Sequence, residues 1–277
     1  MIEFQTWDMR WEATSGHVGT VVSWFPRSSK WSEVFETNSY GLAVPTSGGF
    51  ARQANGVPQF VDRNVGFFRR PGDEVCVAHV TGVADESTIV HLELDEIDAF
   101  DACDWQSGAF VVDPEIDLRH RLLLRDIRRG ADRLAIEADL FELVALCLGQ
   151  GRQLLRSLGR RRWADRSHLV TRVCELLYED STASLSLVQL ARAVGYSPFH
   201  LSRVFHEELG MTLSQYRLRL RVREVVDRLE QGESDLAALA MDTGFADHSH
   251  MTRTVVGQLG VAPSILRLML SDAGAPT

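Results

Sequence analysis

The C-terminal third of the chain contains an internal repeat of about 50 residues. Three segments recur in order, the first at an offset of 49 residues and the next two at an offset of 50. They are LARAVGYS and LAMDTGFA (190–197, 239–246), HLSR and HMTR (200–203, 250–253), and LGMTLSQYR and LGVAPSILR (209–217, 259–267). A one-residue insertion after the turn explains the change of offset. The repeat therefore predicts two copies of one supersecondary unit.

Each copy has the pattern of a helix, a glycine turn and a second helix. The first copy places four apolar residues at amphipathic-helix spacing: Leu187, Leu190, Ala191 and Val194. Gly195 can adopt the left-handed conformation that ends a helix, and Ser197 can cap the next one. In the second copy Gly244 occupies the turn, and either Asp247 or Ser249 can cap the helix that follows. This is the helix-turn-helix pattern, whose second helix enters the major groove of DNA.

The segment between the copies, 213–232, is long enough for one continuous helix that ends at Gly232. Its apolar stripe consists of Leu218, Val222, Val225, Val226 and Leu229. A rigid connecting helix would hold two recognition helices at a fixed distance. That arrangement suits successive major grooves, which lie about 34 Å apart.

GYSPFHLSRVFHEELGMTLSQYR, followed by the connecting helix and GFADHSHMTRTVVGQLGVAPS, resembles the DNA-binding domain of the arabinose-operon-regulator (AraC/XylS) family. The resemblance covers about residues 165–270, and a tandem in the correct order is far more specific than one helix-turn-helix. It implies a transcription regulator that binds double-stranded DNA in a sequence-specific way. It also implies RNA polymerase as a partner, a homodimer, a small-molecule effector and activation of transcription.

By motif position the resemblance assigns DNA reading to the second helix of each copy. The residues are Phe199, His200, Ser202 and Arg203 in the first copy, and His248, Ser249, Thr252 and Arg253 in the second. Arginine can pair with guanine, hydroxyls can bond base edges, and phenylalanine can contact the thymine methyl. The alternative is that Arg203 and Arg253 pair with neighbouring carboxylates, and that His250 only helps to start its helix.

The charge distribution permits DNA binding although the net charge is −9. Residues 160–270 contain 14 Arg, no Lys and 13 acidic residues, so the acidic excess lies in residues 1–159. Contacts to phosphates, which position a protein on DNA without reading sequence, are predicted for His206, Arg217, Arg219, Arg221 and Arg223. Residues 160–162 are either further phosphate contacts or a solvated run of charge.

The second copy departs from the family pattern. Val255, Val256 and Gly257 stand where the family has an aromatic and then a basic residue, and 265–267 replaces an aromatic-arginine pair. A glycine inside a helix costs about 1 kcal/mol relative to alanine. We therefore expect the second copy to be less stable or to bind more through the DNA backbone.

Residues 1–115 have a different pattern, in which short β-rich runs alternate with turn clusters such as PTSGG and RPGDE. This spacing predicts an all-β sandwich or barrel. The resemblance favours a cupin-like barrel, and a barrel of this size can hold one small ligand. Five tryptophans fall in this region: Trp7, Trp11, Trp24, Trp31 and Trp105. We expect them either to pack in the core of the barrel or to line an apolar pocket.

From 116 to 159 the pattern becomes helical, with a long helix expected at 132–156. Its apolar stripe consists of Leu134, Ala138, Phe141, Leu143 and Leu148, and it packs either on its own barrel or on a second subunit. The predicted fold is α+β with two domains. They are a cupin-like sensing and dimerisation domain with terminal helices (1–156), a linker (157–167), an all-α tandem helix-turn-helix domain (168–270) and a tail (271–277).

The sequence contains no pattern for catalysis, a metal site or a cofactor. His17, His79 and His91 are scattered, without the His-x-His pair of cupin metal sites. There is no nucleophile elbow and no phosphate loop. The cysteines are widely spaced and read as small buried hydrophobes: Cys76, Cys103, Cys147 and Cys174.

The N-terminus lacks the pattern of a signal peptide, and no apolar run is long enough to span a membrane, so a cytoplasmic protein is expected. Two alternatives to an effector-controlled regulator stay open. One is a regulator controlled by its abundance or by a protein partner. The other is a cupin-type enzyme fused to a DNA-binding module.

Overall fold

The computed structural model describes residues 7–10, 18–24, 30–79, 85–92, 108–157, 163–179 and 185–270. Its N-terminal part is a curled antiparallel sheet followed by helices, and its C-terminal part is helical throughout the described residues. The predicted α+β class with two domains and a C-terminal tandem helix-turn-helix is confirmed.

The described strands form one curled sheet. They are β1 (Trp7–Arg10), β2 (Val18–Trp24), β3 (Phe35–Glu36), β4 (Tyr40–Ser47), β5 (Gly49–Ala54), β6 (Val57–Asp62), β7 (Val65–Arg69), β8 (Glu74–His79), β9 (Asp85–Leu92) and β10 (Ala109–Val111). Their order is β1-β2-β9-β4-β7-β6-β5-β8-β3, and β10 pairs with β7. The pairs are antiparallel, so hairpins and longer returns build the sheet.

The helices follow the sheet in the chain. They are α1 (Pro114–Arg128), α2 (Arg133–Ser157), α3 (Trp163–Glu179), α4 (Leu187–Ala193), α5 (Pro198–Leu209), α6 (Leu213–Glu230), α7 (Leu236–Asp242), α8 (His248–Leu259) and α9 (Pro263–Leu270). The connecting helix predicted at 213–232 is α6. Gly232 follows its end with a φ of 95°, as expected of a residue that terminates a helix.

The two faces of the sheet have different partners because alternate residues of a strand point to opposite sides. One face packs against α1 and α2 and includes Leu42, Phe68, Val90 and Phe110. The opposite face, which we call the inner face, consists of Ala43, Phe50, Val61, Phe67, Val77 and Ile89. Helices α1 and α2 therefore cover one side of the sheet, and the residues of the inner face pack on one another.

The helix predicted at 132–156 is α2, but its buried stripe differs from the predicted one. Leu143 and Leu148 are buried and Phe141 is half-buried, whereas Leu134 is 74% exposed and Ala138 is also exposed. Ile136, Leu140, Val144 and Cys147 complete the buried side. Leu134 and Ala138 therefore do not pack on the sheet of their own chain, whereas contact with a second subunit, the other predicted alternative, stays a prediction.

Helix α3 connects the two parts by packing against the sheet. Phe60, Val65 and Val111 of the sheet share one core with the buried side of α3: Leu169, Val170, Val173, Cys174 and Leu177. The predicted linker at 157–167 therefore ends inside a helix, since α3 begins at Trp163. Residues 158–162 of that linker and the tail at 271–277 lie outside the described residues.

The tryptophan and cysteine predictions are met only in part, and Cys76, predicted to be buried, is half-buried. Trp31 is 50% exposed and so does not belong to the core, while Trp7 and Trp24 lie on β1 and β2. Cys147 and Cys174 are buried. Trp11, Trp105, Cys103 and His17 lie outside the described residues.

The His, Cys, Asp and Glu residues of the described part of the chain form no group that could hold a metal ion. Within the same residues, no helix has the length and apolar character needed to cross a membrane.

His120 on α1 makes the stability of the protein depend on pH. It is buried, and its Nε2 lies 2.8 Å from the Thr88 hydroxyl. Burial lowers its pKa from 6.5 to about 4, against the attraction of Asp117. Because the unfolded chain takes up a proton near pH 6.5 and the folded chain does not, stability present above that pH is lost as the pH falls towards 4.

We expect His120 to account for a loss of about 3 kcal/mol in the free energy of unfolding between pH 7 and pH 4. Urea unfolding across this range measures it. His120→Gln, which has no titrating ring, should lose less stability over the same range. Equal pH dependence in the two proteins would contradict this assignment.

Candidate nucleic-acid interface

The sequence repeat corresponds to two helix-turn-helix units of equal dimensions. Helices α4 and α7 each have 7 residues, and α5 and α8 each have 12. The first pair starts at Leu187 and Leu236, and the second pair starts at Pro198 and His248, so the offset rises from 49 to 50. The extra residue is Ala246, in the turn of the second unit. The second recognition helix thus begins one residue later.

Glycine and a capping side chain build each turn. Gly195 and Gly244 have φ angles of 76° and 77°, in the left-handed region that favours glycine. Ser197 Oγ accepts a hydrogen bond from the backbone of His200 at 3.2 Å, and Asp247 Oδ1 accepts one from the backbone of His250 at 2.7 Å. Of the two predicted caps in the second copy, Asp247 is the one used.

The first recognition helix, α5, presents an aromatic ring and a cation to solvent. The Phe199 side chain is 79% exposed and that of Arg203 is 51% exposed. Pairing of Arg203 with a neighbouring carboxylate, the predicted alternative to DNA contact, is seen as one long contact. Arg203 Nε lies 3.9 Å from Glu207 Oε1. His200 stacks on the ring of Tyr196, with a centroid distance of 4.9 Å. Ser202 is half-buried on the same helix. The surface of α5 thus presents an aromatic ring, a hydroxyl and a guanidinium, which are side-chain groups able to contact base edges.

The second recognition helix, α8, is more polar and more internally bonded. Three of its four predicted reading residues are exposed: His248, Ser249 and Arg253. Thr252 Oγ1 lies 3.3 Å from His248 Nε2, and Arg253 Nε donates to the Ser249 carbonyl at 3.3 Å. Arg253 therefore bonds its own helix rather than a neighbouring carboxylate. His250 packs edge-to-face on Phe245 at 5.4 Å, as expected of a residue at the start of the helix.

The candidate phosphate contacts divide into accessible and buried groups. His206 is exposed, and the half-buried Arg221 guanidinium lies beside Gly244 in the turn of the second unit. Arg217 Nη2 donates to the Leu185 carbonyl at 2.7 Å, and Arg219 is half-buried. Arg223 is only 3% exposed and donates to the Val112 carbonyl at 2.8 Å. The prediction for Arg223 was wrong, because a phosphate contact needs an accessible guanidinium.

A buried polar contact joins the connecting helix α6 to the N-terminal domain. We call it the α6 interface, and it consists of Arg63, Asp117, Arg121, Arg128, Arg223, Asp227 and Glu230. Arg121 of α1 is central, since its two Nη atoms lie 2.6 Å from Asp227 and 2.7 Å from Glu230. Its Nε lies 3.3 Å from Asp117. Sequence reasoning missed this contact.

The electrostatics of the α6 interface follow from this geometry. Burial raises the pKa of Asp117, but Arg223, Arg121 and Arg63 outweigh it and hold that pKa at about 2. The carboxylate is therefore ionised at neutral pH. Burial lowers the pKa of Arg63 to about 10 and also lowers that of Arg223. For Arg121 the attraction of Asp117 and Glu230 outweighs burial and raises the pKa.

A second polar contact lies where the β6–β7 turn meets the start of α6. The Tyr216 hydroxyl donates to Asp62, and Asn64 Nδ2 donates to the Tyr216 carbonyl at 3.3 Å. All three residues are completely buried. Burial raises the pKa of Asp62, against the opposing hydrogen bond from Tyr216. The N-terminal domain thus contacts α6 near both of its ends.

Comparison with known proteins shows which family this chain resembles. Residues 190–269 match the family described as a helix-turn-helix domain. A solved transcriptional regulator of Chromobacterium violaceum with an AraC-type DNA-binding domain is 25% identical, covering 40% of this chain and 99% of that one, with a TM-score of 0.37. The multiple antibiotic resistance protein MarA of Escherichia coli is 33% identical over 91 residues, which are 32% of this chain and 72% of MarA. The chain belongs to the AraC/XylS family.

Membership of the AraC/XylS family makes the protein a DNA-binding transcription regulator. The HTH-type transcriptional regulator YbfI of Bacillus subtilis is 38% identical over 82 residues, and the chain spans 30% of its length. The family match lies within the helix-turn-helix region, and residues 1–189 lie outside it.

Proposed function

We propose that this AraC/XylS regulator binds promoter DNA through two unequal recognition helices. The observation that carries the proposal is the pair of helices α5 and α8, both packed against the single helix α6. The reading residues are those predicted from the sequence: Phe199, His200, Ser202, Arg203, His248, Ser249, Thr252 and Arg253. His206, Arg217 and Arg221 hold phosphates, which fix the register of the protein on the duplex.

The first recognition helix carries more of the sequence reading than the second. Arg203 has only a long contact to Glu207, so its guanidinium can turn towards a guanine. Arg253 already bonds the Ser249 carbonyl, and His248 lies beside Thr252. Helix α8 also lacks a basic residue at Gly257 that could add a phosphate contact. We infer that α8 acts more as an anchor on the DNA backbone.

Selection of bound sequences from random double-stranded DNA tests this proposal with the full chain. We expect two enriched motifs whose centres lie about 10–10.5 bp apart, because α6 holds the two helices on one rigid element. The motif read by α5 should carry more information. Recovery of DNA without any enriched motif, under salt conditions that retain specific binding, would contradict sequence-specific reading.

The N-terminal domain controls DNA binding in response to a small-molecule effector. The α6 interface supports this proposal, because it connects the sheet and α1 directly to the helix that carries both recognition units. Suppose that the N-terminal domain can hold α6 in two arrangements. A ligand that binds one arrangement more tightly shifts the equilibrium between them by the difference in its two affinities. The effector therefore acts by changing how the N-terminal domain holds α6.

The protein acts in the cytoplasm as a homodimeric activator that contacts RNA polymerase. An exposed stripe on α2 supports dimerisation, and it consists of Leu134, Ala138, Ala145 and Gly149. These residues are 4, 7 and 4 residues apart and so share one side of the helix. A dimer would select a repeated pair of motifs in the same DNA selection. Transcription in vitro from the selected site then distinguishes activation from repression.

A further inference from the structure

The inner face of the sheet contains a buried arginine with an unused hydrogen-bonding group. Arg52 on β5 is only 1% exposed. Its Nη1 donates to Gln59 Oε1 on β6 at 2.8 Å, and its Cζ lies 4.3 Å from the centre of the Phe67 ring on β7. Its Nη2 is buried and has no hydrogen-bond partner within the part of the chain that the structure describes. One end of the guanidinium is therefore held in place while the other end is unused.

Arg52 carries its charge in this position without a paired carboxylate. Burial lowers its pKa to about 10, against the attraction of Asp73, so the side chain is a cation at neutral pH. Among the described residues no carboxylate forms an ion pair with it. Asp85, a carboxylate at the edge of β9, pairs instead with His79, with 2.7 Å between Oδ2 and Nδ1. A buried charge without a partner costs several kcal/mol.

The surroundings of Arg52 are apolar and aromatic. Phe50, two residues earlier on β5, meets the Phe67 ring edge-on at 6.3 Å and lies 4.9 Å from the His79 ring. Val77 and Ile89 on the same face are half-buried, so solvent reaches part of it. A molecule on this face would meet one cation set among aromatic and aliphatic side chains, as in many small-molecule sites.

We propose that Arg52 anchors the carboxylate of a small organic acid with an apolar or aromatic body. The carboxylate accepts hydrogen bonds from Nη2 and forms with Arg52 the direct ion pair that none of the described carboxylates forms. The body of the acid packs on Phe50 and Phe67. This inference rests on the proposed effector response, since it names the chemical class of the effector and the residue that selects it.

The first test needs no ligand and compares the stability of variants. If Arg52 serves a ligand, Arg52→Met should unfold at the same temperature as the natural chain or higher, because it removes an unpaired buried charge. Arg52→Gln should behave in the same way. A fall in the unfolding temperature of both variants would mean that Arg52 serves the fold, and the inference would be overturned.

The second test measures binding of acetate, hexanoate and benzoate against acetamide, hexanamide and benzamide, by calorimetry on the full chain. We expect at least one acid to bind at least tenfold more tightly than its amide, and at least tenfold more weakly to Arg52→Met. Arg70→Met is the matched control, since Arg70 is exposed on the neighbouring loop, and it should bind as the natural chain does. Equal binding of acid and amide, or no binding of any acid, would overturn the inference.

Operator binding in the presence of these probes separates this inference from the proposed function. Acids that bind through Arg52 and change the DNA affinity support both. Acids that bind through Arg52 without changing the DNA affinity support the site and contradict an effector response to them. A neutral molecule that changes the DNA affinity equally in Arg52→Met supports the effector response and overturns the role of Arg52.

Discussion

Arg121→Ala is expected to lower the free energy of unfolding by about 3 kcal/mol. Arg121 is 8% exposed and lies against three carboxylates, those of Asp117, Asp227 and Glu230. Removal of one member of a buried ion pair leaves uncompensated charge in a poorly solvated site, which costs about 3–5 kcal/mol. We expect the lower end of that range because Asp227 and Glu230 are about a quarter exposed.

Arg119→Ala is the matched control for this prediction. Arg119 lies on the same helix, is 44% exposed and pairs with Glu115 and Glu142 at the surface. Exposed pairs contribute about 1 kcal/mol or less, so this variant should lose little stability. Urea unfolding compares the two. Equal losses would mean that the α6 interface contributes no more than a surface ion pair does.

The same variant tests how the two domains communicate. Without Arg121 the N-terminal domain loses its central contact to α6, so an effector can no longer change how α6 is held. We expect the operator affinity of Arg121→Ala to become independent of any ligand that alters it in the natural chain. A ligand response that survives unchanged would place the communication elsewhere.

Arg203→Ala is expected to weaken binding to the selected operator by about 1–3 kcal/mol, or roughly 5- to 150-fold, and to relax preference at one base pair. The guanidinium is half exposed and only loosely paired with Glu207, so its loss should leave the fold intact. Arg253→Ala should cost less, because Arg253 is already bonded to its own helix.

Arg192→Ala controls for the loss of positive charge in the first unit. Arg192 is exposed near the end of α4, outside the recognition helix. Its removal should weaken binding to all sequences by a similar small factor, since non-specific attraction depends on charge. Titrations with the operator and with scrambled DNA make the comparison. If both variants lose affinity equally for both DNAs, Arg203 does not read a base.

The helices of the C-terminal domain could be predicted because their signals are local. Gly195 and Gly244 had to adopt positive φ, and Ser197 and Asp247 had to cap the helices that follow. The same reasoning found the start of α6 and missed its last residue by two. Such features depend on a few neighbouring residues, so a sequence pattern contains them.

The buried charges could not be predicted in the same way. Arg223, Asp227 and Glu230 occur at a spacing typical of a solvated helix side. The docking of α1 and the β6–β7 turn buries Arg223 and half-buries the two carboxylates. Arg52 carried a usable signal, because it alternates with Phe50 and Ala54 on β5 and so had to share their side of the sheet. Its unused Nη2 could be found only in three dimensions.

Helix α6 also constrains how this regulator can change its target during evolution. Its 18 residues extend about 27 Å, and each inserted residue would turn α8 by about 100° relative to α5. A single insertion would therefore point the two recognition helices to different sides of a duplex and detach α6 from its N-terminal contacts. New promoters are more readily acquired by substitution on α5 and α8, while the spacing between the two half-sites is inherited unchanged.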